Sequence, residues 1–259
     1  MLMGILNVTP DSFSDGGRFA TPAAAVDAAF EMADDGADIV DVGGESTHPD
    51  GQPIDAFTEW ERVRPVIEGL AEQNFSRPVS IDTYHAETAR SALAGGAHIV
   101  NDVWGLQHDP AMAHVVAEAG APLIAMHNRS VVDPKLDIVS DVLRYLERSL
   151  LLADRAGVSR SRIVLDPGFG FGKTFRQSME LLTSLEKIAA LGFPLLIGLS
   201  RKGFIGHFSG GLKPADRLAG TLAANLLAAH SGFANILRVH DVTPHRQALG
   251  VLKGLRGVQ

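Results

Sequence analysis

Short, largely apolar runs rich in strand-forming residues recur along the chain at 3–7, 38–42, 78–81, 97–100, 122–126, 161–165, 194–198 and 235–239. Between them lie longer stretches with helical spacing of apolar residues and a composition rich in Ala, Leu, Glu and Arg. They run roughly over 22–36, 57–73, 85–95, 110–119, 137–157, 176–191, 215–231 and 243–255. Strand runs that alternate with helical stretches predict βαβ units and a parallel sheet. Gly36, Gly96, Gly120, Gly157 and Gly192 each follow a helical stretch and precede a strand run. Glycine there is the usual left-handed helix stop. Eight units predict an α/β fold in the form of a closed (β/α)8 TIM barrel, with an open doubly wound sheet as the alternative. No linker or shift of composition divides residues 1–259, so a single domain is expected, with the Pro/Gly clusters at 48–53 and 209–214 as loops within it.

Composition narrows the function. A chain of 259 residues that is 46% hydrophobic can fill a barrel of this size. The net charge of −7 argues against general binding to nucleic acid or to an anionic membrane. An anionic ligand therefore needs a local cluster of cations. There are no cysteines, which excludes disulfides, thiolate nucleophiles and Cys-ligated metals. No signal peptide is visible, and no apolar run approaches the roughly 18 residues that a membrane span needs. A cytoplasmic enzyme is the expectation.

In such barrels the active site lies at the C-terminal ends of the strands. Asn7, Asp41, Asp82, Asn101-Asp102, His127-Asn128-Arg129, Asp166, Ser200-Arg201-Lys202, Arg238 and His240-Asp241 stand there. A single Asp or Asn in that position can be a helix N-cap. Capping does not account for Lys202, Arg238 and His240, because cations at helix N-termini oppose the macrodipole. Two groups separate. Asp82, Asn101, Asp166 and Lys202 can read a flat heterocycle with N–H donors on one edge and a carbonyl on another, since a carboxylate accepts two parallel N–H bonds. An internal salt bridge of Lys202 with an Asp is the alternative. Asn7, Arg238 and His240 converge because strands 1 and 8 are neighbours in a closed barrel, and barrel phosphate sites commonly lie by strands 7 and 8. The polar first loop, with Thr9, Asp11, Ser12, Ser14 and Asp15, is longer than a βα connection needs. The run 166–173, Asp-Pro-Gly-Phe-Gly-Phe-Gly-Lys, lacks the Walker spacing and reads as a flexible strand-6 loop with Phe171 lining a pocket. His127 has no second His at metal spacing and reads as hydrogen-bonded structure.

Stretches 3–17, 41–47, 80–83, 101–105, 126–129, 165–173, 200–206 and 238–242 together resemble the dihydropteroate synthases of the pterin-binding superfamily, and the likeness extends over essentially the whole chain. The resemblance implies a (β/α)8 barrel, a homodimer and a target of sulfonamides. It also implies a transferase reaction of folate biosynthesis, in which 6-hydroxymethyl-7,8-dihydropterin pyrophosphate and p-aminobenzoate give 7,8-dihydropteroate and pyrophosphate. On matching positions Asp82, Asn101, Asp166 and Lys202 bind the pterin, and Arg238 lies against it and helps hold phosphate. Asn7 and His240 hold pyrophosphate with Mg2+, Asn7 being the metal ligand. Asp15 and Thr47, on the first two loops, cover the site, and Phe171 lines it. Asp15, Lys202, Arg238 and His240 are the expected catalytic set. A methyltetrahydrofolate:corrinoid methyltransferase shares the barrel and the pterin recognition, but its substrate has no pyrophosphate to occupy the Asn7, Arg238 and His240 group.

The implied chemistry needs no nucleophilic side chain. Departure of pyrophosphate leaves a methylene cation that the pterin ring stabilises, and the arylamine then attacks. The protein's task is electrostatic. The sequence departs from the family pattern at two positions. His48 stands where Arg usually follows the Thr of Glu-Ser-Thr, and Gly203 stands where Ser usually follows Ser-Arg-Lys. Both face the p-aminobenzoate carboxylate in the family pattern, so an altered response to that substrate and to sulfonamides is expected.

Overall fold

The computed structural model describes residues 1–9, 21–45 and 52–256. Eight strands close into a barrel in sequence order: β1 (Leu2–Asn7), β2 (Ile39–Gly43), β3 (Val79–Asp82), β4 (Ile99–Asp102), β5 (Leu123–Met126), β6 (Ile163–Asp166), β7 (Leu195–Ile197) and β8 (Ala234–Val239). Neighbours are parallel throughout, and β1 closes the ring on β8 with Met3 opposite Arg238. This is the closed form of the two architectures that the pattern allowed. The helices are α1 (Pro22–Asp34), α2 (Ala56–Glu72), α3 (Ala86–Ala94), α4 (Met112–Ala119), α5 (Ile138–Ala156), α6 (Phe175–Leu182), α7 (Leu185–Ala189), α8 (Gly203–Phe208), α9 (Leu218–His230) and α10 (Val242–Arg256). Helices α4 and α5 end on Gly120 and Gly157, both left-handed, with φ of 59° and 87°.

Side chains alternate between the two faces of a strand, and that alternation builds two cores. Val40, Val42, Val79, Ile81, Val100, Leu123, Leu165, Leu195, Ile197, Leu237 and Val239 belong to the large cluster shared with the helices. Met3, Ile39, Ile99, Ile124, Leu196 and Ile236 form a separate cluster that fills the barrel, with Val164 packed against it. Two residues further along the same strands come Asp41, Asn101, Met126, Asp166 and Arg238. They face the same way as the apolar plug and stand about 6–7 Å above it, nearer the strands' C-terminal ends. A polar layer thus rests on a dry floor.

Two helical details depart from the pattern. The stretch 176–191 is two helices, because the Thr183 hydroxyl turns back onto the carbonyls of Met179 (3.3 Å) and Glu180 (3.0 Å) and Ser184 starts a new turn. Helix α8 lies in what read as a loop. Its Phe204 and Ile205 are buried, so packing overrides the poor helix propensity of Gly203 and Gly206.

Candidate active site

The polar layer is organised around Arg238. Its Nε donates to Asp41 Oδ2 at 2.6 Å, and its Nη2 donates to Asp82 Oδ2 at 2.5 Å. Asn101 Nδ2 donates to the same Asp41 oxygen at 3.0 Å. Asp41 is fully buried, Asp82 and Asn101 nearly so. The other oxygen of Asp41, and the hydroxyl of Ser80 on the adjoining strand, are buried with no partner among the described residues. Arg238 is therefore joined to the group of Asp82 and Asn101 as well as standing on the strand-8 edge with His240. Strand-end position alone grouped it with Asn7 and His240, and only the family resemblance set it against the pterin, because a strand position does not reveal which carboxylates lie across the barrel.

Asp41, which fixes both Arg238 and Asn101, stood out in the sequence only as a strand end. A carboxylate inside the apolar run Ile39-Val40-Asp41-Val42 is the signal that marks it, since an unpaired charge there is costly. Asp166 closes β6 and accepts the Gly168 amide at 2.7 Å. Lys202 caps α8 and is half-buried. Its Nζ lies 4.2 Å from the centroid of the Phe171 ring, so the β6 and β7 loops meet over the site. No ion pair ties Lys202 down among the described residues. At the outer edge, Asn7 is exposed at the end of β1, and half-buried His240 holds Ser200 Oγ through Nδ1 at 2.9 Å. Asp15, Thr47 and His48 lie outside the described residues.

Burial dominates the electrostatics. It pushes the Asp82 carboxyl up, against the pull of Arg238 and with help from Asp41 and Asp102. It raises Asp166 to about 6, against the Gly168 N–H and the charges of Lys202, Lys173 and Arg238. It lowers Lys202 to about 8, and Arg238 adds to this while Asp166 and Asp82 oppose it. Burial also works against the Arg238 charge, but Asp41 and Asp82 outweigh it and keep the guanidinium protonated. Carboxyl groups, an amide and two cations thus surround the mouth of the barrel, a set that matches a flat ring with adjacent N–H donors and a carbonyl.

The β6 loop is held from within rather than being loose. Lys173 is buried, and its ammonium donates to Gly168 O at 2.6 Å, His127 Nδ1 at 2.7 Å and Phe171 O at 3.0 Å. His127, fully buried, turns its Nε2 to Asp141 at 3.1 Å. Burial and Lys173 lower His127 to about 3, and burial lowers Lys173 to about 7, so the pair shares a neutral imidazole. His127 is hydrogen-bonded structure, as its isolation in the sequence suggested. Nothing in the loop's spacing announced the buried Lys173. Gly168 is left-handed (φ 68°), and a Cβ there would lie 1.9 Å from His127 O, so no other residue fits.

A pterin binding enzyme family model matches residues 3–240. A dihydropteroate synthase of Clostridium beijerinckii is 44% identical over 247 residues, covering 95% of this chain and 91% of that protein. The chain belongs to the dihydropteroate synthase family. Solved structures of Xanthomonas albilineans dihydropteroate synthase are also similar. The one with 4-aminobenzoic acid has a TM-score of 0.94 at 43% identity and covers 100% of this chain and 93% of that one. The one in complex with 7,8-dihydropteroate has a TM-score of 0.90 at 42% identity, covering 100% and 94%. The family likeness thus extends over the whole barrel, and this dihydropteroate synthase family member carries its buried polar layer at the strand ends where barrel enzymes place their chemistry.

Proposed function

We propose that the chain condenses 6-hydroxymethyl-7,8-dihydropterin pyrophosphate with p-aminobenzoate, giving 7,8-dihydropteroate and pyrophosphate in folate biosynthesis. The observation that carries this reading is the layer of buried Asp82, Asn101 and Asp166 with half-buried Lys202 and Arg238 above an apolar plug. Carboxylates accept the amino-pyrimidine N–H groups, and Lys202 donates to the ring carbonyl. Arg238, fixed by Asp41 and Asp82, presents its planar face to the ring.

The C–O bond between the methylene and the pyrophosphate breaks first, and the electron pair leaves with the phosphate oxygen. Positive charge spreads into the pterin, where the carboxylates Asp82 and Asp166 favour it. The arylamine nitrogen then forms the C–N bond and loses its proton to solvent or to the departing anion. His240 and Asn7 face the pyrophosphate at the strand-1 and strand-8 edge. Phe171 lines the second-substrate side, and Asp15 and Thr47 close over the site from the first two loops.

The donor chemistry fits Mg2+. Asn7 offers a neutral amide oxygen at the exposed end of β1, and no cluster of three or more acidic or histidine side chains competes for the ion among the described residues. Mg2+ typically binds through few protein ligands and substrate phosphates. When bound there with the substrate, it supplies charge neutralisation on the phosphates. We further propose a homodimer that is sensitive to sulfonamides and resides in the cytoplasm. No helix of the described residues is long and apolar enough to cross a membrane.

Purified protein incubated with the pterin pyrophosphate, Mg2+ and p-aminobenzoate tests the reading by chromatography of the products. Dihydropteroate is the expected product. Absence of pyrophosphate release and of product, in protein that binds pterin, would make the chain a non-catalytic pterin binder.

A further inference from the structure

The ends of β7 and β8 are joined by two successive side-chain links. Ser200 Oγ accepts the backbone N–H of His240 at 3.2 Å and lies 2.9 Å from His240 Nδ1. One residue on, Arg201 grips Asp241 with two parallel bonds, Nε to Oδ2 at 3.1 Å and Nη2 to Oδ1 at 2.6 Å. Arg201 is itself in the left-handed region, with φ 58°, which is unfavourable for a non-glycine residue. Its neighbours hold it there: its N–H donates to Thr221 Oγ1 at 3.1 Å, and Arg217 Nη1 donates to its carbonyl at 2.7 Å. Strain retained by several surrounding bonds is typical of positions where geometry serves function.

We propose that Ser200 is a positioning residue that sets the tautomer and the aim of His240. Ser200 is only 5% exposed, so its hydroxyl proton needs an acceptor within the protein. One lone pair of Oγ already takes the His240 amide. The acceptor in reach for the O–H is Nδ1 of the same residue. Donation from Ser200 requires an unprotonated Nδ1, which places the ring proton on Nε2. The opposite edge of the imidazole is then an N–H donor, the form that can bond to an anionic phosphate oxygen. An Nδ1–H tautomer would offer that oxygen a lone pair instead. The Arg201–Asp241 clamp keeps the two loops at the separation this bond needs. The catalytic consequence rests on the reading of His240 as a pyrophosphate ligand; the tautomer does not.

Nitrogen-15 NMR of the full chain labelled on histidine is the test, with the His240 signals identified by their loss in His240→Gln. The expected spectrum shows Nε2 protonated and Nδ1 unprotonated at neutral pH, and a mixture of tautomers in Ser200→Ala. In steady-state kinetics Ser200→Ala lowers kcat about tenfold, the effect of one lost hydrogen bond, with the KM for p-aminobenzoate unchanged. Ser200→Thr, which keeps the hydroxyl, restores both the spectrum and the rate. In the His240→Gln background Ser200→Ala has no further effect on kcat. A protonated Nδ1 in the unmodified chain, or full additivity of the two substitutions, would overturn the assignment of Ser200. If His240→Gln keeps the full rate while the tautomer is as stated, the pyrophosphate role of His240 falls instead.

Discussion

Replacing Arg238 with Met keeps most of the side chain's length and removes the one guanidinium that joins Asp41 to Asp82. Both carboxylates are buried, and the bonds broken are 2.6 and 2.5 Å long. Removing one partner from a buried ionic cluster destabilises a protein by roughly 3–5 kcal/mol, because charge is left behind without compensation. For a domain of this size that corresponds to a fall in Tm of roughly 6–20 °C. The deficit should depend on pH. Burial already raises Asp82, and Arg238 is the first charge that opposes it. Without Arg238 the folded-state value rises further above the unfolded value of about 3.9. A carboxyl raised on folding adds no penalty below its unfolded pKa, where it is protonated in both states, and an increasing one as pH rises towards its folded pKa. The unmodified protein carries the same penalty up to its own folded value of about 7, so the Tm difference between the two should be level from pH 4 to 6 and grow from about pH 7 towards pH 9. Thermal melts followed by circular dichroism across that range provide the measurement. A deficit that is constant with pH, or one that grows towards acid, would refute the idea that Arg238 compensates buried carboxylates.

Lys202→Ala should weaken pterin binding by about ten- to a hundredfold, the effect of losing a charged donor, in a calorimetric titration; unchanged affinity would remove Lys202 from the site. In the unmodified protein the same affinity should fall as pH rises through about 8, where Lys202 loses its proton. Lys173→Met should lower the Tm and raise the KM for both substrates, because it leaves the carbonyls of Gly168 and Phe171 and the His127 ring without their shared donor; a KM unchanged for both would show that the β6 loop holds itself. Gly203→Ser, alone and with His48→Arg, should lower the KM for p-aminobenzoate and sharpen sulfonamide inhibition by about tenfold, the effect of one charge-assisted hydrogen bond. A Cβ at Gly203 meets Phe175 Cε1 at 3.2 Å, and that half-exposed ring has room to give way, so the variant should fold normally.

The barrel was legible because its strands are buried on both faces and read as apolar runs, with glycine stops at five of the junctions between a helix and the next strand. What escaped was set by side-chain contacts that periodicity does not record. Thr183 and Ser184 split a helix whose periodicity continues through them, and Gly203 and Gly206 hid α8, which Phe204 and Ile205 anchor in the core. The strand-end residues stood out as polar punctuation. Their grouping did not, because Arg238 reaches Asp41 and Asp82 across 197 and 156 residues of sequence. The period of two held the missing information. Asp41 and Arg238 each follow by two positions an isoleucine of the barrel plug, Ile39 and Ile236, which puts both charges inside. Lys173 illustrates the limit: a lysine after a Gly-Phe-Gly-Phe-Gly run looks solvent-exposed until the loop folds around its ammonium.

In the proposed reaction the polar layer reads the pterin while the strand-1 and strand-8 edge holds the pyrophosphate. A crystal structure with 6-hydroxymethylpterin pyrophosphate bound tests it most directly. The heterocycle is expected within hydrogen-bond distance of Asp82, Asn101, Asp166 and Lys202, the ring against Arg238, and the phosphates at Asn7 and His240. A pterin seated away from those carboxylates, or phosphates remote from His240, would contradict it.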